Sequence, residues 1–105
     1  MHEREVEVLR EAAAEFLSRE ALPPPIGGLV TVTRTELSDD RTRGTIFISV
    51  YPETEEQKAV DFANRSRSRF AEFFKKRVRG IYSPRVEFVV DIGEKNRRRL
   101  DELTN

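Results

Sequence analysis

Cysteine and tryptophan are absent from the 105 residues, and histidine and methionine occur once each. Without cysteine there is no disulfide framework, no thiol nucleophile and no thiolate-bound zinc. The single histidine, His2, stands beside a terminus, where chains usually fray. That argues against a histidine triad, a histidine metal cluster and a buried histidine base. No apolar run approaches the roughly 20 residues of a membrane span. The first residues are too acidic for a signal peptide. Glycine-rich phosphate loops, nucleophile elbows and metal-ligand spacings are missing as well. The adjacent acids Asp39/Asp40, Glu55/Glu56 and Asp101/Glu102 fall in turns and helix ends, where paired acids serve as caps and solvated surface. With 37% apolar and 36% charged residues, the composition predicts one small two-layer domain. The expectation is a cytoplasmic, monomeric protein that is not an enzyme, with no cofactor, no small-molecule substrate and no membrane attachment.

Net charge is zero, but the charge is not evenly spread. Residues 1–20 carry three bases and six acids, and residues 21–63 carry four and seven. Residues 64–85 carry eight bases (Arg65, Arg67, Arg69, Lys75, Lys76, Arg77, Arg79, Arg85) and one acid, Glu72. Residues 86–105 carry four and five. Salt screens charges beyond about 8–10 Å, so a single-sign stretch attracts polyanions whatever the distant segments carry. A solvated helix face is the plainer alternative, since Arg and Lys are good surface helix formers. Eight bases against one acid is nevertheless more than solubility needs, and meets the basic-patch criterion for nucleic-acid binders.

Val6, Leu9, Ala13, Phe16 and Leu17 recur at helical spacing and predict a helix over residues 3–20. Pro23-Pro24-Pro25 and Gly27-Gly28 predict a loop. Leu29 to Leu37 and Gly44 to Tyr51 are rich in β-branched residues and flank the turn cluster Ser38-Asp39-Asp40-Arg41, which predicts an antiparallel hairpin with Ile46, Ile48 and Val50 on one face. Thr54 to Gln57 fits a capping box. The helix that follows carries Val60, Ala63, Phe70, Phe73, Phe74 and Val78, interrupted by Asn64-Arg65-Ser66-Arg67-Ser68-Arg69. Periodicity allows one straight helix; the serines, which can bond the preceding turn's carbonyls, allow a bend near 66–68. Gly80 suits a left-handed helix cap. Arg85 to Ile92 predicts a third strand, with Pro84 at its start. The domain is expected over residues 1–92, with a polar, partly ordered tail over 93–105.

Several segments together resemble the ribosome-binding factor A family. Gly28 to Ser38 followed by Gly44 to Val50 resembles that family's hairpin. Pro24 and Gly27 match a proline and glycine of its first loop, Ser83 to Asp91 is similar to its last strand, and Arg99 to Leu103 resembles its closing segment. The resemblance implies a KH-like type II two-layer sandwich, α-β-β-α(kink)α-β, with a three-stranded sheet and helices on one face. It implies a non-enzymatic maturation factor of the small (30S) ribosomal subunit that binds 16S rRNA during late processing. The family's alanine-x-glycine kink falls on Ser66-Arg67-Ser68, where both outer residues stay small but the glycine is absent. This favours the bent helix.

A protein that holds folded RNA needs cations along the phosphate backbone. Arg65, Ser66, Arg67, Ser68 and Arg69 at the expected kink, with Lys75, Lys76, Arg77, Arg79 and Arg85, are the expected RNA-binding residues. Arginine adds bidentate phosphate contacts, and a kink exposes helix N–H groups that favour anions. The phenylalanines, at helical spacing, belong to the core; Tyr51 and Tyr82 are the better candidates for base stacking. The alternative is a generic KH-like RNA-binding or protein-interaction module that pairs its acidic first helix or basic second helix with a partner.

Overall fold

A computed structural model describes residues 3–20 and 29–104. The expected proline–glycine loop lies outside the described residues. Helix α1 spans Glu3–Arg19, strand β1 Leu29–Leu37, strand β2 Arg43–Tyr51, helix α2 Glu56–Arg65, helix α3 Arg67–Arg77, strand β3 Arg85–Val90 and helix α4 Ile92–Thr104. β2 is central. It pairs antiparallel with β1 and parallel with β3, so the α2–α3 segment crosses from one end of the sheet to the other. This is the α+β order the sequence predicts, with β2 beginning one residue earlier and β3 ending two earlier.

Alternation decides which strand residues face the helices. Ile46, Ile48 and Val50 of β2 and Phe88 of β3 are buried against Leu9, Ala13 and Phe16 of α1, Ala59 and Ala63 of α2, and Phe70 and Phe74 of α3. Phe70 is the hub, with ring centroids 5.4 Å from Phe16 and 6.1 Å from Phe88, both edge-to-face. Burying a side chain of this size is worth roughly 1.5–3 kcal/mol, so the phenylalanines dominate the small core. Gly44 lets α1 come close: a Cβ there would stand 3.0 Å from Leu9 Cδ2.

Three local expectations are corrected. Thr54 does not cap a helix. A short 3-10 turn over Glu53–Glu55 precedes α2, neither N-cap position makes a side-chain bond, and Gln57 turns forward to Asp61 at 2.9 Å. Gly80 does have positive φ, +80°, but α3 has already ended at Arg77 with extended Val78 as its cap; the glycine shapes the following loop. The polar segment after β3 forms α4, because Asp91 Oδ1 accepts the Glu94 N–H at 3.0 Å and supplies its N-cap. Lys95 and Arg99 then tie α4 to Glu53 and Glu56.

The same Asp91 locks the far face of the sheet. β1 carries a bulge between Val32 and Arg34, which sends the Thr33 hydroxyl to Asp91 Oδ2 at 2.6 Å. Arg34 lies over the Phe47 ring at 3.6 Å and 3.5 Å from Asp91 Oδ2.

Candidate nucleic-acid interface

Ser66 separates α2 from α3. Its φ of −94° and ψ of 9° lie in a region open to any residue, so the bend needs no glycine. The Ser66 hydroxyl donates to the Phe62 carbonyl at 2.9 Å and accepts from Arg69 Nη2 at 2.9 Å. Its N–H is shared between Phe62 and Ala63 carbonyls. With 1% exposure, Ser66 shapes the junction from inside and presents no surface of its own.

Asn64 fixes the junction to the sheet. Its side-chain amide pairs with both backbone groups of Phe88 on the outer edge of β3, donating from Nδ2 at 3.0 Å and accepting at Oδ1 from the Phe88 N–H at 2.9 Å. The α3 N-terminus has no side-chain cap and no acid in its first turn. An anion there would meet the positive end of the helix and no carboxylate of its first turn.

The basic segment divides between two sides. Arg69 turns to α1 and meets Glu20 at 3.3 Å, and Arg77 pairs with Glu15. These two cations are neutralised within the molecule. On the other side, Arg67, Ser68, Lys75 and Arg85 line one groove between α3 and β3. Arg67 and Arg85 also line the adjoining groove with Arg43, which lies opposite Arg85 in the β2–β3 register. Arg67 Nε donates to the Asn64 carbonyl at 3.0 Å, aiming the rest of its guanidinium outward. Arg65 shares a third depression with Arg67 and Ser68. Arg65, Lys75, Lys76, Arg79 and Arg85 are exposed, and among the described residues none forms a salt bridge.

Of the ten expected residues, then, the structure gathers Arg65, Arg67, Ser68, Lys75 and Arg85, turns Arg69 and Arg77 toward α1, buries Ser66, and leaves Lys76 and Arg79 exposed beyond the grooves. Arg43 and Asn64 were not anticipated. Arg43 becomes visible only once β2 and β3 are known to be parallel. Asn64 gave no signal beyond its place in the apolar gap.

Among the described residues, no three His, Cys, Asp or Glu side chains converge as a metal site, and no helix is long and apolar enough to cross a membrane. The arrangement is a set of cations beside a helix start that has no side-chain cap, with Glu36 and Glu87 at the border of the second groove; such a set suits phosphate.

Comparison with known proteins agrees across nearly the whole length. The family model for ribosome-binding factor A matches residues 1–104. A ribosome-binding factor A from Carboxydothermus hydrogenoformans is 36% identical over 91 residues, covering 86% of this chain and 72% of that one. The crystal structure of ribosome-binding factor A from Thermus thermophilus superposes with a TM-score of 0.74 at 26% identity, covering 86% of this chain and 96% of the other. A homology model of the Thermus thermophilus factor, fitted into a cryo-EM map of a 30S–RbfA complex, gives a TM-score of 0.66 at 30% identity over 78% of this chain and 86% of that one. With the family model matched over residues 1–104 and the fold shared with these relatives, the chain belongs to the ribosome-binding factor A family.

Proposed function

We propose that this protein binds the small ribosomal subunit through 16S rRNA and acts, without catalysing a reaction, in late maturation of that subunit in the cytoplasm. The observation that carries this reading is the gathering of Arg43, Arg67, Lys75 and Arg85 around the uncapped start of α3. Four cations on adjoining grooves fit consecutive phosphates better than they fit an isolated carboxylate. Cations spread over adjoining grooves suit the backbone of a folded RNA, which is recognised by shape and phosphate. The KH-like description fits the element order, with the α2–α3 junction standing where such domains meet RNA. The fit of a relative into a map of a 30S complex supports the same partner.

The test is sedimentation of the protein with mature and immature small subunits through a sucrose gradient. The wild-type protein should comigrate with one or both, and Arg67→Glu with Arg85→Glu should stay at the top while melting normally. Comigration of the double variant with subunits at the wild-type level would reject the site. Failure of the wild type to bind any subunit or its RNA would reject the function.

A further inference from the structure

Tyr82 is 94% exposed, more than any other large apolar side chain in the described residues. This is not the exposure of a loose loop. Ile81 and Ser83 on either side are half-buried and Pro84 is buried, so the backbone is anchored on both flanks of the tyrosine. Gly80, at φ +80°, makes the turn that leads into it. Beside Tyr82 opens a groove of about 630 Å³ whose floor is formed by Leu9, Leu37, Phe74 and Ile81. The Ser83 hydroxyl is buried there and has no hydrogen-bond partner.

Charge of both signs rims the groove. Arg85, which also lines the grooves of the cation cluster, stands on its wall, with exposed Arg79 three residues before Tyr82. Glu5, ion-paired with Arg41, and Asp40, held by the Ser38 and Thr42 hydroxyls, line it as well. The Arg85 N–H donates to the Thr42 carbonyl at 2.8 Å, so the strand that carries the cation is bonded to the turn that carries the acid. The apolar floor, the exposed ring and a guanidinium shared with the cation cluster suit a flat, mainly apolar group with amino hydrogens, attached to a phosphate.

We propose that Tyr82 and the groove beside it take the base of an unpaired ribonucleotide, stacked on the ring, while its phosphate lies at Arg85. The assignment rests on the RNA reading above and extends it from backbone contact to single-stranded RNA. A strand leaving the Arg67–Lys75–Arg85 groove passes directly to Tyr82, because Ser83, Pro84 and Arg85 border both grooves. Stacking on an aromatic ring is indifferent to base identity.

The test uses two RNA hairpins, one blunt and one with a single-stranded 3′ tail carrying 2-aminopurine. The wild type should bind the tailed hairpin more tightly and quench the tail fluorescence. Tyr82→Ala should lose about 5- to 100-fold on the tailed RNA, lose the quench, and bind the blunt hairpin as before with an unchanged salt slope. Tyr82→Phe should restore both. Since Tyr82 lies outside the core, thermal melting of Tyr82→Ala should match the wild type. If Tyr82→Ala binds and quenches like the wild type, the stacking site is wrong while the RNA reading survives. If Tyr82→Ala weakens binding to whole subunits but not to tailed RNA, the residue faces a protein and the inference also fails. If the wild type binds neither hairpin, RNA reading and stacking site fall together.

Discussion

At the scale of single residues, two side chains link elements that the sequence keeps far apart. Asn64 occupies the outer edge of β3 as a neighbouring strand would, satisfying both polar groups of Phe88. Replacing it with alanine leaves a buried N–H and C=O unpaired, which costs about 1–3 kcal/mol. Asn64→Ala should therefore lower the melting temperature by several degrees, whereas Asp61→Ala, on the exposed side of α2, should change it little. Asp91 is the second link. Burial raises its proton affinity, but the Thr33 hydroxyl, the Glu94 N–H and the Arg34 guanidinium outweigh this and hold the carboxyl below its ordinary value of 3.8. A depressed folded value means that the stability is complete above the ordinary value and is lost as the pH falls through the lower one. Asp91→Asn should thus be less stable than the wild type at neutral pH, and the difference should close as the pH falls below about 4, measured by chemical denaturation across pH. Neither link was legible in the sequence. Each depends on a contact across 24 or 58 positions that no local pattern encodes.

At the scale of elements, the strands and α1 follow directly from periodicity, because burial on one face leaves a repeat of two or of about 3.6 in the sequence. The bend between α2 and α3 was ambiguous for a physical reason. Ala63 and Phe70 stay in phase whether or not the helix breaks, so the core-facing pattern carries no trace of the interruption. Ser66 supplies the bend by bonding back to Phe62. Thr54 does not cap α2 because it lies within the 3-10 turn that precedes the helix. α4 was underestimated because its cap, Asp91, was assigned to the strand before it. The packing of α1 on β2 gives a prediction at this scale. Leu9 is buried, so the methyl added by Gly44→Ala has little room to displace it. The substitution should cost about 1–3 kcal/mol in unfolding free energy, and Gly44→Ala combined with Leu9→Val should recover part of it.

At the scale of the whole molecule, the charge asymmetry read from the sequence is real but smaller than the count of eight bases suggests. Two of them are held by Glu15 of α1 and by Glu20 just beyond its end. Four clustered cations predict a log–log salt slope of about 3 to 4 for RNA binding, at roughly 0.7–0.9 per phosphate. Glu15→Gln with Glu20→Gln releases Arg69 and Arg77. It should tighten binding at low salt and steepen the slope by about 1 to 2, read from filter-binding titrations at several salt concentrations. An unchanged slope would mean that the α1 side never approaches the phosphates.

The parallel pairing of β2 with β3 has one more outcome. Arg43 and Arg85 each open a strand, and they stand together only because the two strands share a direction. Had the chain returned antiparallel, Arg85 would sit about 17 Å away, at the opposite margin of the slab, five steps of roughly 3.3 Å along a six-residue strand. The electrostatic focus of the molecule is thus written in its winding. A chain with identical composition and identical helices, but a reversed last strand, would keep every guanidinium and part Arg85 from Arg43 and Arg67.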